Sequence, residues 1–198
     1  MLYKSYPIHK QKSIIHRLMR KRLMGKGYFF IKPGGDEQKL LDFGCGDGWY
    51  LKQMSMDYGW QAHGFEFDSI HAAKLSKASG LPVFNDLEKL IKDNHGIYDL
   101  VTMHYVLEHL PALRQYFETV RNLLKVGGHF YFTVPNIECI ESKFFGRKWH
   151  GLDPPRHISF INDAIVSDLA LRNGFVTVIN PAIKYPYVVI PAKAGIQK

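Results

Sequence analysis

Leu40 to Leu51 read LLDFGCGDGWYL, with Gly44, Gly46 and Gly48 at alternating positions directly after a short apolar run. Glycines so placed let the backbone turn sharply from a strand into a helix and let a ligand approach without Cβ atoms in the way. The amides exposed at such a helix start favour a carboxylate or a phosphate. Further along lie groups that accept or move protons: Glu66, Asp86, the stretch HYVLEH from His104 to His109, and Arg156-His157 within GLDPPRHISF. Two nucleotide loops do not fit the glycines. A dinucleotide fingerprint, G-x-G-x-x-G, requires glycine where Trp49 stands, and a P-loop requires a lysine in a register that lacks one.

The elements that must hold these residues follow from the apolar runs and the turn signals. KLLDF predicts a strand, GDGWYLKQMSMDYG a helix and QAHGFEF a second strand. DSIHAAKLSKASG predicts a helix with Asp68 as its N-cap and Gly80 just past its end, followed by a third short strand, LPVFN. YDLVTMHYV reads as a fourth strand, LPALRQYFETVRNLLKVGG as a helix stopped by paired glycines, and HFYFTVPN as a fifth strand. A loop-rich stretch then leads to a helix, INDAIVSDLALRNG, and a strand, FVTVI. Strands alternating with helices predict an α/β fold, a parallel sheet covered on both faces, with ligands beyond the carboxyl ends of the strands. The glycine loop, Glu66, Asp86 and His104 all fall at those ends.

In this order and spacing, LLDFGCGDGWYL, HGFEFD, YDLVTMHYVLEHL and KVGGHFYFTVPN resemble the core of class I S-adenosylmethionine-dependent methyltransferases. A closer resemblance is to the bacterial branch of small methyltransferases that carry GLDPPRHISF-like text after the fifth strand. The resemblance implies a Rossmann-like seven-stranded sheet of order 3-2-1-4-5-7-6 with helices on both faces, and S-adenosyl-L-methionine as cofactor. It implies that Asp42 to Gly48, including Gly44, Cys45, Gly46 and Gly48, engage the methionine moiety. Glu66, with Phe67 beside it, would take the ribose, since a carboxylate can accept from both hydroxyls; an exposed strand-end charge is the alternative. Asp86 matches the position that accepts from the adenine amino group, with Leu87 beside the ring, or else it caps the following helix. His104 lies where the family's chain passes the methionine end and the reacting methyl, or else it is a packed strand-end histidine.

Methyl transfer from a sulfonium is an in-line displacement, so much of its catalysis is positioning, and a base is needed only where the acceptor must lose a proton. The candidates are His157, His104, Tyr105 and His109, with Arg156 as an anchor for an anionic group. His157 ranks first, because a loop rich in Pro, Gly and Asp holds it where a substrate lid belongs. A structural histidine bonded to a loop carbonyl is the competing reading, and Tyr105 could simply line the pocket. HYVLEH misses the H-E-x-x-H and H-x-x-E-H metal spacings, so no metal is expected, and Glu108-His109 is read as orienting the helix beside the pocket.

Residues 1 to 35 hold nine Lys/Arg and no Asp/Glu, which accounts for the net charge of +8. This segment reads as a basic N-terminal helical extension, residues 36 to 183 as the methyltransferase domain, and residues 184 to 198 as an atypical tail. The local basicity favours a small-molecule acceptor that is anionic or membrane-associated, with RNA ranked lower because aromatics do not interleave the charges. No run reaches the ~20 apolar residues of a membrane span, and two cysteines make a disulfide framework unlikely, so a cytoplasmic protein is expected. Near the end, Val188 to Ile190 is penned between Pro186 and Pro191, which predicts a sheet lacking a complete last strand. That fault opens a second reading: a truncated, catalytically weak or inactive cofactor-binding remnant, shielding its open edge as a homodimer.

Overall fold

The computed structural model describes residues 31–35, 37–179 and 186–191. The basic helix expected at the N-terminus lies almost wholly outside the described residues. The elements run β1 (Lys39–Phe43), α1 (Trp49–Met56), β2 (Gln61–Phe65), α2 (Ser69–Ser79), β3 (Val83–Phe84), α3 (Leu87–Asp93) and β4 (Tyr98–His104). A 3-10 turn at Leu107–His109 precedes α4 (Leu113–Leu123), β5 (Leu124–Thr133), α5 (Ile140–Phe145), α6 (Asp163–Arg172), β6 (Phe175–Ile179) and β7 (Pro186–Pro191).

Adjacent residues of one strand serve opposite faces of the sheet. Leu40 and Leu100 pack with Trp49, Leu51, Met54 and Trp60 in one core, whereas Leu41 and Val101 join Phe65, Phe117, Phe130 and Phe132 in the other. Burial on both faces is why apolar residues stand side by side in β1 (Leu40-Leu41) and β4 (Leu100-Val101) instead of alternating with polar ones. Asp68 caps α2 by accepting from the His71 amide, and Gly80 ends it in the left-handed conformation, φ 71°.

The sheet has seven strands in the order β3-β2-β1-β4-β5-β7-β6. β1 pairs in parallel with β2 and β4, β2 with β3, and β4 with β5, while β7 runs antiparallel to both β5 and β6. The seventh strand is therefore in place, and the expectation of an incomplete last edge is corrected. Pro186 pairs in register with Thr133 and Pro191 with Phe175, so the two prolines stand at the strand's ends, where a missing N–H interrupts the ladder least.

A second difference concerns α4, which ends at Leu123, short of the paired glycines. The chain from Leu124 already belongs to β5, and the register shifts between Tyr98 and Leu100 as Lys125 to Gly128 bulge past β4. Lys125 Nζ donates to Asp99 at 2.8 Å across that irregularity. Among the described residues no helix is long and apolar enough to cross a membrane.

Candidate functional site

The carboxyl ends of β1, β2 and β4 meet at the glycine loop. After Phe43 the chain doubles back over β2, and the Gly44 and Cys45 amides both donate to the Phe65 carbonyl, at 2.8 and 3.0 Å. Gly44, Gly46 and Gly48 all have positive φ, 77°, 53° and 69°. Their surroundings differ. A Cβ on Gly44 would lie 2.6 Å from Val106 Cγ2 and one on Gly48 would lie 2.5 Å from Leu75 Cδ1, whereas a Cβ on Gly46 would meet nothing within 4 Å. Two of these three glycines thus serve packing, and Gly46 faces open space.

Gly46 is also the loop's electrostatic junction. Its amide donates to Glu66 Oε2 at 3.0 Å, and the His71 Nε2–H donates to its carbonyl at 2.7 Å, tying the loop to α2. Glu66 Oε1 accepts from the Asp68 amide at 3.3 Å. The carboxylate is fully buried, so the exposed-charge reading of Glu66 is set aside. Each oxygen takes one backbone amide and retains a further lone pair. Cys45 is buried behind the loop, where burial pushes its thiol well above the usual range.

Asp42, 3% exposed, accepts from Thr102 Oγ1 at 2.9 Å. Burial, and then the charges of Glu66 and Asp47, outweigh that hydrogen bond and push its carboxyl up to about 7. A carboxyl raised in the folded state keeps a proton that the unfolded chain has lost, so folding stability from this group falls as pH rises from about 4 to about 7 and is level above. Asp42→Asn is expected to remove that fall. Urea unfolding at about pH 5 and about pH 8 should show the wild type losing roughly 2–4 kcal/mol more than the variant; parallel losses would contradict the buried, protonated Asp42.

Asp86 is exposed and caps α3, accepting from the Lys89 amide at 2.9 Å through Oδ1. Leu87 and Phe67 are partly buried against the main core, and the Phe67 ring meets the edges of Phe43, Phe65 and Tyr116. His104 ends β4 with its ring 4.4 Å from that of Tyr50 and Nδ1 3.4 Å from Thr133 Oγ1. Tyr105 follows with φ 57°, a left-handed backbone that is uncommon outside glycine, and is 43% exposed.

The second half of the site is made by the loop before α6 docking on the 3-10 turn. The Ile158 and Ser159 amides donate to the Glu108 carbonyl, and Ser159 Oγ donates to the Leu110 carbonyl at 2.8 Å. His109 Nδ1–H donates to the Arg156 carbonyl at 3.0 Å and His157 Nδ1–H to the Gly151 carbonyl at 2.7 Å. Arg156 and Asp153 form an ion pair beside them. The two imidazoles stand edge to face, 4.8 Å apart. Burial holds His109 below the usual imidazole range and pushes the Glu108 carboxyl up to about 8. His157 and His109 are thus brought together, while His104 and Tyr105 precede the turn on the β4 side.

Comparison with known proteins decides what this arrangement belongs to. A sequence model described as "Methyltransferase domain" matches residues 12–179. The chain belongs to the methyltransferase-domain family. The ubiquinone biosynthesis O-methyltransferase of Cronobacter sakazakii is 30% identical over 129 residues, 62% of this chain and 51% of that protein. The chain thus spans about half the length of the curated relatives it matches. An S-adenosylmethionine-dependent methyltransferase from Mesorhizobium loti superposes with a TM-score of 0.58 at 18% identity, over 80% of this chain and 93% of that one. A 1,6-didemethyltoxoflavin N1-methyltransferase of Burkholderia thailandensis, solved with S-adenosylhomocysteine, gives 0.56 at 16% identity, over 87% and 73%. The fold is that of class I S-adenosylmethionine-dependent methyltransferases.

Glu108, read from the sequence as orienting the helix beside the pocket, lies buried beside His157. In this methyltransferase domain two contributors escape a reading of the sequence: His71 holds the Gly46 carbonyl from α2, and Thr102 holds Asp42 from β4. His71 is one turn past the Asp68 cap, and Thr102 is a polar residue inside an apolar strand; either anomaly could have prompted the question.

Proposed function

We propose that the chain is an S-adenosylmethionine-dependent methyltransferase acting on a small-molecule acceptor, with a hydroxyl oxygen as the receiving atom. The observation that carries this reading is the Gly46–Glu66 junction: an open backbone position at the end of β1 directly bonded to a buried carboxylate at the end of β2. A cofactor with an amino-acid end, a ribose and an adenine needs partners spread along successive strand ends, and the residues present fit it. Asp42 and the loop from Gly44 through Cys45 and Gly46 to Gly48 would hold the methionine end. Glu66 would take the ribose through its remaining lone pairs, with Phe67 supporting it from the core. Asp86, which caps α3 through one oxygen, has the other for the adenine amino group, with Leu87 adjacent. When bound, the cofactor supplies an activated methyl on a sulfonium leaving group.

The chain's own part is to orient the two reactants and keep water out. His104 lies at the end of β4, next to β1 and the loop, and Tyr105, His109 and His157 frame the acceptor side. The oxygen acceptor is supported by the Cronobacter relative's name, and an anionic small molecule by the nine Lys/Arg of residues 1 to 35. Supplying hydroxylated aromatic acids with the cofactor should release S-adenosylhomocysteine, read by mass spectrometry, at rates above those for the corresponding amines. Release confined to amine acceptors would contradict the oxygen assignment.

A further inference from the structure

Among the described residues, the carboxyl group of Glu108 is the most unusual one that methyl transfer does not require. It is 2% exposed, and neither oxygen receives a hydrogen bond. A buried carboxyl left so is costly and calls for a partner, best one of opposite charge. Its neighbours are His109 and His157, and one ligand atom from each of the three lies within 4.8 Å of the others.

The two histidines are prepared in the same way. Each offers its Nδ1 to a backbone carbonyl, His109 to Arg156 and His157 to Gly151. A carbonyl can only accept, so each Nδ1 carries the proton and, in the neutral ring, each Nε2 carries the lone pair. Fixing the tautomer through a carbonyl on the far nitrogen is how proteins orient metal-ligating histidines. Ligand bonds of about 2 Å place donor atoms roughly 3.3 Å apart around a tetrahedral ion, so a set within 4.8 Å closes on an ion by drawing its donor atoms together by roughly 1.5 Å.

We propose that Glu108, His109 and His157 form a three-ligand site for a late first-row divalent cation of the zinc class. Two imidazoles and one carboxylate suit zinc better than magnesium or calcium, which prefer all-oxygen sets, and three protein ligands leave a coordination position open. His104, the other histidine of HYVLEH, stays at the end of β4, and the third ligand is instead His157, which the loop before α6 brings against Glu108 and His109. The site goes beyond the methyltransferase reading and rests on these three side chains alone, so zinc binding and cofactor binding fail separately.

The test is zinc titration of the full chain, stripped beforehand with a chelator, in competition with a chromogenic zinc indicator. One equivalent is expected to bind, and Glu108→Gln and His157→Gln are each expected to weaken it by at least about 10-fold. Cobalt in place of zinc should give visible absorption bands that His157→Gln abolishes. Thermal unfolding of each variant shows whether it is folded, and if Glu108→Gln is not, His157→Gln decides. Absence of a bound equivalent in the folded wild type, or binding of wild-type strength in folded His157→Gln, would overturn the site.

Discussion

Glu66→Ala is expected to weaken S-adenosylmethionine binding by about 100-fold or more, because two hydrogen bonds to an ionised carboxylate are worth roughly 1.5–3 kcal/mol each. The loss has two sources. The ribose hydroxyls lose their acceptor, and the Gly46 and Asp68 amides lose the oxygens that now hold them at 3.0 and 3.3 Å. Glu66→Gln separates these sources, since its amide keeps one acceptor oxygen while turning an NH2 towards a donor. It should lie between the wild type and Glu66→Ala. Isothermal titration calorimetry reads the change, and a folded Glu66→Ala protein within about 3-fold of the wild type would contradict a ribose role for this residue.

Gly44→Ala is expected to cost about 2–4 kcal/mol of folding stability, measured by urea unfolding. Part of that is the left-handed backbone at φ 77°, worth about 1–2 kcal/mol for a residue with a side chain. The remainder is the 2.6 Å approach of the new Cβ to Val106, an overpacking cost. Adding Val106→Ala should therefore recover about 1–2 kcal/mol relative to the sum of the single changes, a coupling that a double-mutant cycle isolates. Gly46→Ala shares the positive φ but meets open space, so it should lose only the backbone part, about 1–2 kcal/mol. Equal losses at Gly44 and Gly46 would show that the contact with Val106 does not matter.

That contrast marks where the sequence stops being informative. The spacing of Gly44, Gly46 and Gly48 identifies a strand-to-helix loop, but not that two of the three are demanded by Val106 and Leu75, which arrive from other parts of the chain. The order of the strands and of the longer helices, the Asp68 cap and the Gly80 stop are legible, because periodicity and capping are local signals that act within a turn or two, whereas the short α5 lies in a stretch that reads as loop. The seventh strand is not legible, since Val188 to Ile190 gains its place only by pairing with β5 and β6. Glu108 shows the same limit. HYVLEH carries no metal spacing of its own, and the loop that brings His157 to it is joined through the backbone carbonyls of Glu108, Arg156 and Gly151, which no side-chain pattern records.

What the loop between β1 and α1 binds is the point on which the methyltransferase reading rests. Calorimetric titration of the wild-type chain with S-adenosylmethionine, beside the same titration with NAD, compares a methyl donor with a dinucleotide that Trp49 disfavours. Saturable binding of one equivalent of S-adenosylmethionine is predicted, weakened in Glu66→Ala as above, with no binding of NAD. Binding of NAD without S-adenosylmethionine would contradict the assignment.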